Sequence, residues 1–225
     1  ENLYRIIGVF NNKVKLIKSS KSGVRNLLGE DGAYDSFMLD YAWNSATGTN
    51  SWSESNLNKI NLNTNYISYL DSIDTKWDDM IVENSWQVSG MSDVSEYNAS
   101  SIYGFELGDD RSSDTTYSDK IGLMYVSDYM YAVSPEYWTY QLLNSVDVSA
   151  DSYYLLTPLN WMHANIDEWT ITPCLDYDGD AFVIDGRYVG GDYDYGYGNG
   201  VTNAVSIRPT FYLNRSSVVL TSGSG

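Results

Sequence analysis

Eleven residues near the C-terminal end, Gly190 to Gly200, comprise five Gly, three Tyr, two Asp and one Asn, with no aliphatic side chain. A segment of this composition lacks the apolar surface needed to join a hydrophobic core. Its glycines allow backbone conformations that other residues avoid. Loops rich in Tyr, Gly, Asn and Asp are typical of antibody-like recognition surfaces. The sequence therefore predicts an exposed, aromatic and acidic loop, which the rest of the chain must support.

The same composition extends over a wider window, Cys174 to Asn203, in which twenty of thirty residues are Gly, Tyr, Asp or Asn. The only basic residue of the window is Arg187, and a β-rich run from Ala204 to Leu213 follows it. We expect this arrangement to form a ligand-binding surface on a rigid β framework. The predicted binding residues are Tyr177, Asp178, Asp180, Arg187, Tyr188, Asp192, Tyr193, Asp194, Tyr195, Tyr197 and Asn199.

Charge restricts the partners of the chain. The 225 residues include 30 acidic and 13 basic side chains, a net charge of −17. Such a surface repels nucleic acid and anionic membranes and favours basic protein surfaces, while neutral glycans remain open as partners. No stretch reaches the ~20 apolar residues that span a bilayer. We therefore predict a protein or glycan ligand, no nucleic-acid partner and no direct membrane insertion.

The two ends of the sequence bear on domain organisation. The chain begins within a predicted strand, has no signal peptide, and ends in Ser222-Gly223-Ser224-Gly225, which resembles a cloning linker. We expect residues 1–221 to form a single domain cut from a longer protein, and residues 222–225 to be a linker or tag remnant. A chain of this length can bury a large core without a metal or a disulfide.

The order of predicted elements indicates an α+β fold. A hairpin is predicted over residues 3–10 and 13–18, because Asn11-Asn12 tolerates the positive φ angles of a tight turn. Residues 53–71 show near-helical spacing, and Ser134-Pro135 is a start signal for a second main helix ending near residue 144. A short helix is predicted at 76–83, and strands at 86–88, 120–126, 169–173, 181–184, 187–189, 205–213 and 218–220. Residues 181–189 read as a hairpin across Asp185-Gly186, and strands at both ends of the chain are expected to pair in one sheet, with long loops elsewhere.

Four blocks resemble one largely uncharacterised family of surface proteins from gut Firmicutes and their relatives. The blocks are LYRIIGVF with VKLIK, KIGLMYVSDY with SPEYW, EWTIT, and IRPTFYLN at Ile207–Asn214, and together they cover nearly the whole chain. The resemblance implies a variable segment between the last two blocks, which here is 174–206. It also implies an extracellular or cell-surface location in bacteria, in some relatives at a pilus. The family carries no known catalytic residues, so none is transferred.

The layout also resembles the C-type lectin fold of variable proteins from diversity-generating retroelements. Those proteins carry their diversified binding residues close to the C-terminus on a rigid sheet. This second resemblance is one of architecture and composition. It implies a C-type-lectin-like domain whose Tyr-rich segment serves ligand binding or adhesion and is diversified by a retroelement.

Catalytic and metal sites find little support in the sequence. The run Asp176-Tyr177-Asp178-Gly179-Asp180 alternates acids as a calcium loop does, but position 12 of an EF-hand pattern would be Arg187 instead of an acid. A solvated turn is the preferred interpretation, and no cofactor is predicted. His163 is the only histidine, so neither a typical zinc site nor a recognisable catalytic triad can be assembled from it. We predict that the chain is not an enzyme.

Three structural roles are expected. Arg208, before a proline in a strand context, is predicted to be a buried fork that holds a carboxylate or carbonyl groups. Cys174, the only cysteine, is predicted to be reduced and buried. Most of the seven Trp residues are assigned to the core, whereas Trp52 lies in a polar context and is expected to be more exposed.

Two alternatives to a ligand-binding domain remain open on the sequence alone. The Tyr-rich segment could pack on the next subunit of a pilus or cell-surface assembly. It could also form a Ca²⁺-dependent glycan-binding lectin. Carboxylate pairs such as Asp109-Asp110 are too frequent in so acidic a chain to indicate a glycosidase.

Overall fold

The computed structural model describes residues 3–19, 34–35, 40–44, 49–92, 97–140, 159–164, 166–184, 189–190 and 200–218. These residues form a mixed fold of short helices and antiparallel sheets, in agreement with the predicted α+β class.

The predicted N-terminal hairpin is present as β1 (Tyr4–Phe10) and β2 (Lys13–Lys18). The turn residues Asn11 and Asn12 have φ angles of 48° and 63°, a conformation that Asn tolerates better than most residues. β2 pairs on its other side with β13 (Thr210–Asn214), so strands from both ends of the chain share one sheet as predicted. Two short strands, β5 (Ile81–Val82) and β8 (Ile121–Gly122), also pair with β13 and complete a five-stranded sheet.

The described residues form three smaller sheets as well. The first joins β9 (Glu168–Pro173), β10 (Ala181–Ile184) and β11 (Val189–Gly190). The second joins β3 (Tyr34–Asp35), β4 (Asp40–Ala42) and β12 (Ala204–Val205). The third pairs β6 (Asn84–Gln87) with β7 (Thr116–Asp119).

The helical elements lie between the strands. A π-helical segment, Leu57–Tyr66, runs directly into α1 (Ile67–Ile73), close to the predicted helix over 53–71. α2 (Lys76–Met80), α3 (Ala99–Glu106) and α4 (Val126–Met130) follow. Single 3₁₀ turns lie at Trp52–Glu54, Pro135–Tyr137 and Arg215–Ser217. None of the helices in the described ranges is long and apolar enough to cross a membrane.

Several sequence predictions about elements were wrong. The run predicted as one strand over 120–126 is split, because β8 ends at Gly122 and α4 begins at Val126. Helix α3 was missed. The second main helix begins at Pro135 only as a 3₁₀ turn, and residues 141–150 lie outside the described part. The predicted strand over 205–213 is two strands, β12 and β13. Ile184 pairs with Val189, which leaves four residues between the paired positions instead of a two-residue turn at Asp185-Gly186.

Two hydrophobic clusters form the core. The first is rich in aromatic residues and includes Trp43, Trp52, Trp86, Trp169 and Phe211. The second is rich in methionine and packs α3 and α4 against β10. The expectation that Trp52 is exposed was wrong: its ring is 1% exposed and lies 4.9 Å from that of Trp43, edge to face. Its polar neighbours Ser51 and Ser53 share a hydrogen bond between their hydroxyl groups over 3.1 Å, and Ser55 Oγ donates to Trp43 O over 2.6 Å.

Candidate functional site

The C-terminal window predicted to bind ligand begins with a turn between β9 and β10, residues 174–180, which we call the acidic turn. Tyr177 is 49% exposed and Asp178 is also exposed. Asp180, by contrast, is only 8% exposed. The structure thus places two of the predicted binding side chains in solvent on this turn and buries the third.

The acidic turn is held by one side chain from a distant part of the chain. Asn50 Nδ2 donates hydrogen bonds to the carbonyl oxygens of Cys174, Tyr177 and Asp180, over 2.7, 3.1 and 2.8 Å. The backbone N–H of Asn50 donates to Asp178 O over 2.7 Å. Because four of its carbonyls are bound at a single residue, the acidic turn has a defined shape despite its exposure.

A second support comes from residues 89–92. Met91 N–H donates to Pro173 O, and Leu175 N–H donates back to Met91 O, over 3.1 and 2.9 Å. Gly90 has a φ of +77°, and a Cβ there would lie 2.7 Å from Pro173 O. Only glycine fits this close approach without strain.

An open groove runs beside the acidic turn. It has a volume of about 380 Å³, and Asn50, Trp52, Ser89, Tyr117, Leu175 and Asp178 are among its lining residues. Its walls combine hydroxyl and amide groups with apolar faces, a mixture suited to a small polar group or an extended peptide. The exposed Tyr177 lies between Leu175 and Asp178 in the same turn.

The predicted binding residues fall partly inside and partly outside the described residues. Tyr177, Asp178 and Asp180 are described, whereas Arg187, Tyr188, Asp192, Tyr193, Asp194, Tyr195, Tyr197 and Asn199 lie outside the described residues. The two ends of the segment are nevertheless fixed. β11 ends at Gly190, and Gly200 forms an antiparallel bridge with Asp180. Since Val201 N–H also donates to Gly179 O over 2.8 Å, the chain re-enters the described fold against the acidic turn.

The alternating acids do not assemble into a metal site in the described part of the chain. Asp176 and Asp178 are exposed, while Asp180 is buried beside Gly200. Among the described residues, no three His, Cys, Asp or Glu side chains converge in a way that could hold a metal ion.

The predicted role of Arg208 is confirmed. Its Nε and Nη2 atoms each donate over 2.6 Å to the carboxylate of Glu168, and Nη2 also donates to Met162 O. His163 lies nearby, with Nδ1 3.0 Å from the hydroxyl of Tyr129. Partial burial and the charge of Arg208 lower the pKa of His163, which keeps the ring neutral at pH 7. Cys174 is buried, as predicted.

A buried cluster of charged side chains was not predicted from the sequence. Lys15 donates to Asp128 Oδ2, and its ammonium lies 4.5 Å from the ring centroid of Tyr125. Glu106 accepts from the backbone N–H groups of Val126 and Ser127, over 3.0 and 2.8 Å. Burial lowers the pKa of Lys15, but Asp128 and the other neighbouring groups outweigh it and raise the pKa overall. These contacts link α4 to β2 and to α3. In the sequence, the cluster is indicated only by the alternation of charged and apolar residues in β2.

Comparisons with known proteins add nothing to this description. A scan against protein-family models, a search of curated proteins and a search of solved structures each gave no match to the chain.

Proposed function

We propose that this chain is a ligand-binding domain of a bacterial cell-surface protein, with an adhesin- or receptor-like role and no catalytic activity. Its binding surface is formed by the acidic turn, the adjoining groove and the Tyr-rich segment between Gly190 and Gly200. The scaffold is proposed to be C-type-lectin-like, and the Tyr-rich segment to be diversified by a retroelement.

The observation that carries the proposal is the acidic turn itself. Its side chains Tyr177 and Asp178 are exposed to solvent, and the side chain of Asn50 donates hydrogen bonds to three of its carbonyl oxygens. A fixed backbone with exposed aromatic and acidic side chains loses little conformational entropy when it binds a partner. Tyrosine adds a large contact area and one hydroxyl on a side chain with only two rotatable torsions.

Charge and the sheet arrangement add support. The net charge of −17 favours a ligand with a basic surface, and it raises the rate of encounter at low salt. Pairing of both terminal strands in one sheet is compatible with a C-type-lectin-like scaffold.

The first experiment is a screen of the purified chain on a glycan array and on an array of secreted proteins, repeated with EDTA. Any ligand found is then titrated against a Tyr177→Ala variant and a triple variant, Tyr193→Ala, Tyr195→Ala and Tyr197→Ala. We expect each variant to weaken binding at least tenfold with a melting temperature close to that of the parent chain. Binding that is unchanged by EDTA argues against the calcium-dependent version.

Ile73→Ala is the matched control, since Ile73 at the end of α1 is 49% exposed, as Tyr177 is. The control should leave the affinity for the array ligand unchanged. A large drop in melting temperature for the triple variant would show that those rings belong to the core and would overturn the proposal. Equal loss of affinity in the control would do the same.

The retroelement part of the proposal has a separate test in the DNA beside the gene. A reverse transcriptase gene with a near-copy of the codons for 174–206 is expected there. A genomic neighbourhood that lacks both would remove diversification from the proposal and leave ligand binding intact.

One observation favours a second function, that of a structural module in a pilus or surface assembly. Strand β1 exposes Ile6, Val9 and Phe10, and in the described part of the chain no strand pairs with its other edge. An apolar edge strand is a template for pairing with another chain. Size-exclusion chromatography over a range of concentrations tests this function, since self-association that is lost in Val9→Lys would favour it over binding of a foreign ligand.

A further inference from the structure

A second cavity, remote in sequence from the acidic turn, lies between β1 and the helices α3 and α4. We call it the aromatic cleft; it has a volume of about 400 Å³, and its lining includes Phe10, Tyr103, Asp128, Tyr131, Trp138 and Trp161. None of these residues contributes to the proposed ligand-binding surface, so the inference below does not depend on that function.

Three rings of the aromatic cleft stand nearly at right angles to their neighbours. Tyr103 and Tyr131 have centroids 6.3 Å apart at 77°, and Tyr131 and Trp138 have centroids 4.9 Å apart at 84°. Trp138 Nε1 donates to Val133 O over 3.1 Å, which fixes the orientation of the indole. Tyr103 and Trp138 are 44% and 37% exposed, so a ligand can reach them from solvent.

A carboxylate also lines the aromatic cleft. The side chain of Asp128 is only 6% exposed, and its Oδ2 atom accepts from Lys15 Nζ and from the backbone N–H of Tyr125. Within the described part of the chain, the other oxygen, Oδ1, accepts no hydrogen bond. Since Asp128 lines the aromatic cleft, Oδ1 can accept one hydrogen bond from a bound group.

Acidic side chains lie near two of these rings. Glu136 precedes Trp138 by two residues and is exposed, and Asp110 Oδ2 lies 2.9 Å from where a Cβ on Gly104 would be, next to Tyr103. Arg5 lies with its guanidinium carbon 6.0 Å from the ring centroid of Trp161 and donates to Trp161 O, but it is not among the residues that line the cleft.

The protein already holds one of its own cations in this way. Lys15 Nζ lies 4.5 Å from the centroid of Tyr125 and 5.6 Å from those of Trp86 and Tyr212, with Asp128 as its counter-ion. Aromatic faces attract cations through the negative charge of the π system, and the attraction strengthens when water is excluded. The aromatic cleft combines other rings with the same carboxylate, and two of these rings, Tyr103 and Trp138, are exposed to solvent.

We propose that the aromatic cleft binds the alkylammonium end of a lysine side chain from a partner protein. The ammonium donates to Asp128 Oδ1, its positive charge faces the rings of Tyr103, Tyr131 and Trp138, and its methylene groups contact Phe10. A glycan is a poorer occupant, because its hydroxyl groups need several polar partners and the lining is mainly aromatic and aliphatic. A purely apolar side chain would leave the free carboxylate oxygen without a partner.

The test compares Ac-Gly-Lys-Gly-NH₂ with the same peptide acetylated at Nε, in which a neutral amide replaces the ammonium. Each is titrated into the protein, with binding followed by NMR on ring-labelled Tyr and Trp. We expect shifts in the signals of Trp138, Tyr103 and Tyr131 with the charged peptide, and at least tenfold weaker binding of the acetylated one. Equal binding of the two peptides, or no shift at these rings with either, would overturn the proposal.

Variants at exposed rings avoid the risk of unfolding that comes with changes at Asp128. Tyr103→Leu and Trp138→Leu keep the cleft apolar but remove a π face, and each should weaken binding of the lysine peptide at least fivefold. Tyr177→Ala is the matched control in the acidic turn and should bind the peptide as the parent chain does. Failure of the peptide to bind would leave the array ligand of the proposed function unaffected, so the two proposals can fail separately. Leucine variants that bind the peptide as well as the parent would contradict the cation–π role.

Discussion

Arg208 and Glu168 form a buried two-point ion pair, in which Nε and Nη2 each lie 2.6 Å from a different carboxylate oxygen. The side chains are 3% and 1% exposed. Because Glu168 begins β9 and Arg208 precedes β13 by two residues, the pair joins the sheet that leads into the acidic turn to the five-stranded sheet. The framework of the proposed binding surface is therefore held by charge as well as by apolar packing.

Arg208→Met is expected to lower the free energy of unfolding by about 3–5 kcal/mol, because Glu168 would remain as a buried charge without its counter-ion. Arg208→Lys should restore little of that loss, since an ammonium cannot reproduce the planar fork that binds both oxygens. Urea denaturation followed by tryptophan fluorescence measures both. The control is Arg215→Met at an exposed position, expected to change stability by less than about 0.5 kcal/mol. Similar small losses at both arginines would contradict the role given to the pair.

Asn50→Ala is expected to cost about 1–3 kcal/mol, because three carbonyls of the acidic turn lose their donor. Asn50→Asp should be at least as costly, since a carboxylate places an acceptor against acceptors. Urea denaturation measures the loss, and hydrogen exchange at the Asp180 and Cys174 amides should accelerate in both variants. The exposed Asn214, which caps only the following 3₁₀ turn, provides the control variant Asn214→Ala. Unchanged exchange in the Asn50 variants would mean that the turn holds its shape without this residue.

Gly90→Ala tests the second support of the acidic turn. The φ of +77° costs about 1–2 kcal/mol for a residue with a Cβ, and contact with Pro173 O adds to that cost. Gly200→Ala is the matched control, because a Cβ there meets nothing closer than 3.4 Å. Thermal unfolding should show a clear loss for the first variant and little change for the second. Comparable melting temperatures would show that residues 89–92 adjust freely.

The N-terminal hairpin could be predicted from sequence because its information is local. Two β-rich runs flank Asn11-Asn12, and the turn geometry follows from these residues alone. Helix α3 was missed although Asn98 caps it by accepting from Ser101 N–H, because Gly104 and the serines weaken the helical pattern. The apolar run from Ile121 to Val126 could be read as strand or helix, since short apolar runs carry no period that separates the two.

The candidate site was predictable only in part, because several of its contacts join residues that are distant in the sequence. Composition located the acidic turn and the exposure of Tyr177. It could not indicate Asn50, which lies 124 to 130 positions from the carbonyls it binds. The burial of Asp180 is equally non-local, because it depends on Gly200 and Val201 returning to the turn. Three rings of the aromatic cleft likewise come together only through the packing of α3 against the region after α4.

Glu106 gives a prediction about pH. Burial raises the pKa of Glu106 above its ordinary value of 4.5, although hydrogen bonds from Ser127 and Thr172 oppose the shift. The folded state therefore binds this proton more tightly than the unfolded chain does, so the contribution of the group to stability falls as pH rises from about 4.5 through the folded pKa. Glu106→Gln has no such titration, but its amide must face the N–H of Val126 or Ser127, which costs about 1–3 kcal/mol.

Urea denaturation of the parent chain and Glu106→Gln at a series of pH values isolates this group from the other acids. The parent should be the more stable at every pH, and its advantage should narrow as pH rises through the folded pKa of Glu106. Glu136→Gln, at an exposed position, is the control and should stay within about 0.5 kcal/mol of the parent. An advantage that widens with rising pH would mean that the hydrogen bonds to the carboxylate outweigh its burial, so that the folded pKa lies below the ordinary value.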